Sequence, residues 1–245
     1  MKFTNKTIRE IALETPATIP VFEKHNIDYC CGGNKKFSEA CENAGISPET
    51  LSKNISVAIT KAENTQEFNP AAKKSASELT DYLIEKHHTF TREEMERLTP
   101  LMAKVAVKHG DKHPELHKLK EVFGKLCEDL LPHLQKEEMV LFPFIKDLSI
   151  ANERNTSLPT PHFMTVQNPI RMMGIEHDEA GDFLKEMREL SNDYSAPENA
   201  CPSYKALYFG LEELEKDLHK HIHLENNLLF PKAVKLEQSV FDDDE

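Results

Sequence analysis

The sequence contains no run of 18 or more apolar residues, which excludes a membrane-spanning helix of ordinary length. Its opening stretch, MKFTNKTIRE, has no apolar signal core, so the chain is expected to stay in the cytoplasm. Cysteine is scarce: five residues, two of them adjacent, do not make the even, spaced framework of a secreted disulfide domain. They suit a reducing compartment better. Positive charge is also in deficit. The formal charge of −12 would repel nucleic-acid phosphates, so nucleic acid is not an expected partner, and neither is a membrane. Part of that charge lies in an acidic tail, 237–245, ending in Asp242, Asp243, Asp244 and Glu245. What the chain does have is histidine, twelve in all, and their placement carries the information.

Length suggests two domains. Residues 1–60 read as a small helical domain, with Thr15-Pro16 as a helix start and Gly45 followed by Ser47-Pro48-Glu49 as a stop and a new start. Residues 61–76 are polar, without apolar period, and read as a linker. From 77 to 236 the apolar spacing alternates four and three, opened by a Ser75–Glu78 capping box. One seam runs Ile84, His88, Thr91, Met95, Leu98, Met102, Val105. A second runs Leu119, Phe123, Leu126, Leu130, His133, Glu137, Val140, Phe144. The third is Ile170, Met173, His177, Ala180, Leu184, Met187. The fourth is Tyr204, Leu207, Leu211, Leu214, Leu218, His221, Glu225, Leu228. Such seams belong to helices packed nearly antiparallel, so the expected fold is all-α, an up-down-up-down four-helix bundle behind a small helical domain. The stretch 149–168 reads as the connection between its halves.

The bundle is written twice. HLQKEEMVLFP at 133–143 returns as HIHLENNLLFP at 221–231, and each follows a single seam histidine, His88 or His177. The seams turn His88, His133, Glu137, His177, His221 and Glu225 inward. A buried carboxylate must be paired or bound to metal, and the neighbouring seam positions offer no basic partner. Histidine and glutamate four apart share one helix face. Four imidazoles and two carboxylates exceed what one tetrahedral zinc takes. They suit two metals bridged by Glu137 and Glu225, with mixed nitrogen and oxygen ligation favouring iron or manganese. The competing reading makes each histidine a hydrogen-bonded core residue and each glutamate half exposed. It suffices for any one of the six and does not explain all six in phase and in duplicate. His87, His219, His223 and Glu138 fall off the ligand seam, and His109, His113 and His117 sit near a hairpin turn, where a solvated role is expected.

Cys30 and Cys31 stand in a loop, IDYCCGGNKKF, and lack the Cys-x-x-Cys spacing that grips one zinc. They read either as a small pair at a tight Gly-Gly turn or as candidate reactive thiols. The His-x-x-x-Glu order resembles the hemerythrin-like bundle rather than the ferritin-like scheme. Together with DYCCGG at 28–33 and EHDEAGDFL at 176–184, it resembles the iron–sulfur cluster repair di-iron family (RIC) over nearly the whole chain. The resemblance maps the family's ligands to His88, His133, Glu137, His177, His221 and Glu225. It implies an oxo-bridged centre of two iron ions and repair of iron–sulfur clusters damaged by oxidative or nitrosative stress. The repair would proceed by donating iron to damaged or apo iron–sulfur proteins, with Cys30 and Cys31 assisting. It also allows a homodimer. The alternatives are a di-iron nitric oxide or peroxide reductase, and a gas sensor or carrier with nitric oxide or oxygen species as ligands.

Overall fold

Thr7 and Glu10 form a capping box that starts α1 (Ile8–Glu14), ahead of the helix start expected at Thr15-Pro16. The computed structural model describes residues 3, 5–30, 32–65, 71 and 73–242, the side chains of 61–65 and 242 excepted. A 3₁₀ turn at Pro16–Thr18, where Pro16 marks the expected start, leads into α2 (Ile19–Lys24). Next come α3 (Phe37–Asn43) and α4 (Pro48–Thr65). Gly45, at φ +62°, makes the left-handed turn between them, a conformation that favours glycine. Ile8, Phe22, Tyr29, Phe37, Leu51 and Ile55 close the core of this first unit.

The bundle begins with the expected capping box: Glu78 N donates to Ser75 Oγ at 3.2 Å, and Ser75 N donates to Glu78 Oε2 at 2.8 Å. Its first long helix is α5 (Ala76–Leu83) and α6 (Thr89–His109), joined by a π-turn at Ile84–His88. The second is α7 (Glu115–Lys136) and α8 (Phe142–Arg154), joined by a π-turn at Glu137–Leu141. The third, α9 (Gln167–Leu190), is uninterrupted. The fourth is α10 (Pro202–Leu224) and α11 (Phe230–Asp242), joined by a π-turn at Glu225–Leu229. Helix α7 packs between α6 and α9, and α10 packs on α6. Among the described residues no helix is long and apolar enough to cross a membrane.

The π-turns explain where the seams slip. A π-turn adds one residue to the helical circuit, so every inward position beyond it moves by one. Past Glu137 the buried residues include Leu141, Ile145 and Leu148, while the expected Val140 is 37% exposed. Past Glu225 the core takes Leu229 and Ala233 in place of Leu228, and ahead of His88 it takes Leu83 in place of Ile84. In α9, which has no π-turn, Met173, His177, Ala180, Leu184 and Met187 are all buried as the spacing required. Proline accounts for two of the three turns. Pro143 and Pro231 have no N–H to give, so the ladder is broken just there, and Phe142 N and Phe230 N reach back to the Glu137 and Glu225 carbonyls instead.

Three expected boundaries move. Helix α4 continues to Thr65, inside the expected linker, of which 66–70 and 72 lie outside the described residues. Helix α8 continues to Arg154 and α9 begins at Gln167, so the connection between halves is shorter than 149–168. Helix α11 runs through most of the expected acidic tail. Glu237 is a structural residue there, accepting from Val166 N at 2.6 Å and Thr165 Oγ1 at 2.5 Å. Of the tail only 243–245 lie outside the described residues.

Candidate metal centre

The six seam residues meet in one polar layer, sealed by apolar residues on both sides. Below it lie Leu126, Leu130, Leu184 and Leu218, and above it Leu83, Leu141, Met173 and Leu229. His88, His133, Glu137, His177, His221 and Glu225 are all buried. They form two interlocking groups: His88, His221, Glu137 and Glu225, and His133, His177, Glu137 and Glu225. Each group takes one histidine from each hairpin, so the repeat contributes half a ligand set to both positions rather than one whole position per copy. Both carboxylates belong to both groups. Glu137 places Oε2 3.5 Å from His88 Nε2 and Oε1 3.5 Å from His133 Nε2. Glu225 places Oε1 2.9 Å from His221 Nε2 and Oε2 3.2 Å from His177 Nε2.

This donor set fits metal. His88 Nε2 faces His221 Nε2 at 3.2 Å, and His177 Nε2 faces His133 Nε2 at 3.2 Å, so ring nitrogens converge in two places. Neither oxygen of Glu137 has a hydrogen-bond partner among the described residues, although the residue is fully buried. An ionised carboxylate left so in a core costs several kcal/mol or more. No lysine or arginine is paired with Glu137 or Glu225 among the described residues. Without metal the cluster holds itself together with protons. Burial opposes a charge on His133, yet Glu137 beside it pushes the imidazole up to about 10. The pKa of His221 is likewise raised, with burial opposing and Glu225 prevailing. For Glu225 burial again opposes the charge, and His221 holds the carboxyl well below its usual range.

A ring of partners that the seams did not reveal orients these ligands. His88 Nδ1 donates to Glu138 Oε1 at 2.7 Å, and Arg92 holds the same oxygen at 2.7 Å. His133 Nδ1 donates to Glu176 Oε2 at 2.7 Å, with Lys136 on the other oxygen. His177 Nδ1 donates to Asn226 Oδ1 at 3.0 Å. Each bond turns its ring so that Nε2 points into the layer. Glu138, Glu176 and Asn226 are all chain neighbours of a ligand, and that adjacency was the available signal. Glu138, expected to face elsewhere, faces the back of His88. The Phe-Pro pairs also have a place. Phe142 stacks on His88 at 5.5 Å and Phe230 on His177 at 6.1 Å, so each copy's phenylalanine backs its own hairpin's single histidine.

The other histidines divide. His87 is buried, and its Nδ1 donates to Asp217 Oδ1 at 3.0 Å. His223 is buried under the first domain: Tyr29 packs edge-on to it at 5.4 Å and to His219 at 6.3 Å. Burial lowers the His223 pKa to about 4, with Arg9 contributing. Thus Tyr29 docks on α10, the helix that carries His221. At the far end of the bundle His109 Nε2 lies 3.2 Å from Cys201 Sγ, and His113 Nδ1 donates to Glu115 at 3.1 Å.

The structure does not bring Cys30 to the metal layer. Its thiol is 1% exposed and donates to Asp28 Oδ1 at 3.2 Å. Asp28 also accepts from Cys30 N at 2.9 Å and Gly32 N at 2.7 Å, which knots the loop. Gly33 is required here, because a Cβ would lie 2.6 Å from the Tyr29 carbonyl. Cys31 lies outside the described residues.

Comparison with known proteins matches residues 79–233 to the hemerythrin HHE cation binding domain and residues 4–58 to a domain of unknown function (DUF542). A probable iron-sulfur cluster repair protein of Haemophilus influenzae is 34% identical over 96% of this chain and 99% of its own length. The iron-sulfur cluster repair protein ScdA of Staphylococcus haemolyticus is 33% identical over 94% and 98%. The iron-sulfur cluster repair protein YtfE of Yersinia pseudotuberculosis is 30% identical over 96% and 99%.

Proposed function

The chain belongs to the iron–sulfur cluster repair family, with a hemerythrin HHE cation binding domain as its bundle, and from that premise we propose a di-iron protein that restores damaged clusters by giving up iron. His88 and His221 would hold one ion, His133 and His177 the other, and Glu137 and Glu225 would bridge both. One observation carries the reading: two fully buried carboxylates, each shared between two histidine pairs and neither paired with a lysine or arginine among the described residues. Bound there, the iron supplies the exchangeable metal that an apo or damaged cluster lacks. The four imidazoles and two carboxylates hold it without a thiolate, the soft ligand that would otherwise compete with the client's own cysteines.

The chain's residues perform the rest. Glu138, Glu176 and Asn226 keep three imidazoles turned with Nε2 into the layer. The apolar layers on either side exclude water from the carboxylates. Cys30 and Cys31 are proposed to assist at the moment of transfer. With Cys30 buried behind Asp28, that role requires the loop to open off α10. The test is transfer of labelled iron from the loaded protein to an apo iron–sulfur enzyme. Label appearing in the enzyme together with recovered activity supports donation. Label retained while activity stays lost rejects it, and multiple-turnover reduction of nitric oxide by the same preparation would replace it with catalysis.

A further inference from the structure

The two ion positions share both carboxylates and differ in how their histidines are supported. In the His133–His177 position both imidazoles donate through Nδ1, to Glu176 at 2.7 Å and Asn226 at 3.0 Å. In the His88–His221 position only His88 does, to Glu138 at 2.7 Å. His221 Nδ1 is buried with no partner among the described residues. Its Nε2, the nitrogen aimed at the cluster, lies 2.9 Å from Glu225 Oε1. What orients the His221 ring is a stack: His87 lies 5.7 Å away with only 14° between the planes. His87 is itself anchored by Asp217, at 3.0 and 3.1 Å from its two carboxylate oxygens.

We propose that the two ions are unequally held, that the one at His88–His221 leaves first, and that His87 with Asp217 is the positioning pair that keeps this weaker position assembled. The proposal rests on the donation reading and names which of the two ions is the one donated. An outer hydrogen bond to a ligating imidazole fixes its orientation and raises its basicity, and its loss costs about 10–100-fold in metal affinity. His221 lacks that bond, so its position is the weaker by a factor of this order. A stack without a hydrogen bond restores orientation and not basicity, which suits a site meant to release its ion while its neighbour stays.

The experiment follows iron loss from fully loaded wild-type protein into excess ferrous chelator under reducing conditions, after two irons per chain have been measured. The expected trace has two phases of one iron each, separated by about 10-fold or more in rate. Anomalous diffraction at the iron edge from crystals of half-depleted protein should then show metal retained at His133–His177. Metal retained at His88–His221, equal occupancy of both, or a single phase overturns the proposal. His87→Ala should quicken the first phase and leave the second unchanged, and His87→Phe, which keeps a stacking ring, should recover most of the wild-type rate. Asn226→Ala should quicken the second phase and close the gap. None of these readouts uses cluster repair. Two phases without iron transfer to a client would sink donation and keep the inequality, and one phase with transfer would do the reverse.

Discussion

The two hairpins of the bundle carry the same ligand grammar on different backbones. In the first, both helices pass through a π-turn, at Ile84–His88 and Glu137–Leu141. In the second only the last helix does, at Glu225–Leu229, and His177 sits in the regular helix α9. The supports differ too. Both first-hairpin histidines donate to carboxylates backed by Arg92 and Lys136, while the second pair has an amide for His177 and no acceptor for His221 Nδ1 among the described residues. The two copies therefore agree in the side chains aimed into the central layer and differ in the scaffold behind them. A residue can be orthodox as a ligand and still be poorly supported, and the second property decides how tightly an ion is held.

The largest expected effect comes from removing what the hairpins share. Glu137→Leu should abolish binding at both positions, because Glu137 belongs to both groups and the metal is the one partner its two oxygens fit. Metal content should fall from two irons to near zero while the helical circular dichroism and the thermal midpoint of the apo protein hold or rise, since leucine fits an apolar seam better than an unpaired carboxylate. Full iron occupancy in that variant would refute the bridging role.

Next in size is the proton linkage. The His133 pKa lies at about 10 in the metal-free fold against 6.5 unperturbed, so the imidazole is protonated at pH 7, and a metal must displace that proton. Calorimetric titration of apo protein in buffers of different ionisation enthalpy should therefore report at least one proton released per chain. The sign for stability follows. The raised pKa stabilises the apo protein fully below about pH 6.5, and that contribution is lost as pH rises through about 10. The loaded protein, whose His133 is neutral throughout, should lack this decline. Equal slopes for apo and loaded protein over that window would count against His133 as a ligand.

A smaller effect separates the phases of the seams. Leu141→Ala should cost about 2–5 kcal/mol as a core truncation, while Val140→Lys, one residue earlier, should stay within about 0.5 kcal/mol. Reversed costs in denaturant melts would mean that the π-turn at Glu137 is misplaced. The smallest effect on the metal and the most specific on chemistry concerns the first domain. Tyr29→Ala removes the ring that packs on His219 and His223, so Cys30 should become open to alkylation in native protein while two irons remain bound. Unchanged Cys30 labelling in that variant would show that Tyr29 is not what keeps the loop docked.

These contrasts also show what could be read from the chain alone. The four-three spacing located all six polar residues of the central layer, because spacing is local and the ligands lie where three of the seams are still in phase. It failed three residues beyond Glu137 and Glu225, at Val140 and Leu228, because a π-turn shifts phase without changing composition. The Phe-Pro repeat held the clue, since proline removes the N–H that a regular helix needs at that point. Glu138, Glu176 and Asn226 were hidden for a different reason. They bond to histidines 43 to 50 positions away, and such pairings depend on how helices are set against each other. The docking of Tyr29 on α10 is of the same kind: Tyr29 and His223 meet only once both units are folded. The α1 helix is legible in its Thr7–Glu10 capping box, although seven residues are too few to show a long apolar period.

The central claim is that one buried layer holds two metal ions through six side chains drawn equally from two copies of a hairpin. The most direct test is metal analysis of freshly purified protein beside its Glu137→Leu variant. The account predicts two irons per chain in the wild type and close to none in the variant. One tightly bound zinc in the wild type, or iron retained after Glu137 is gone, would contradict it.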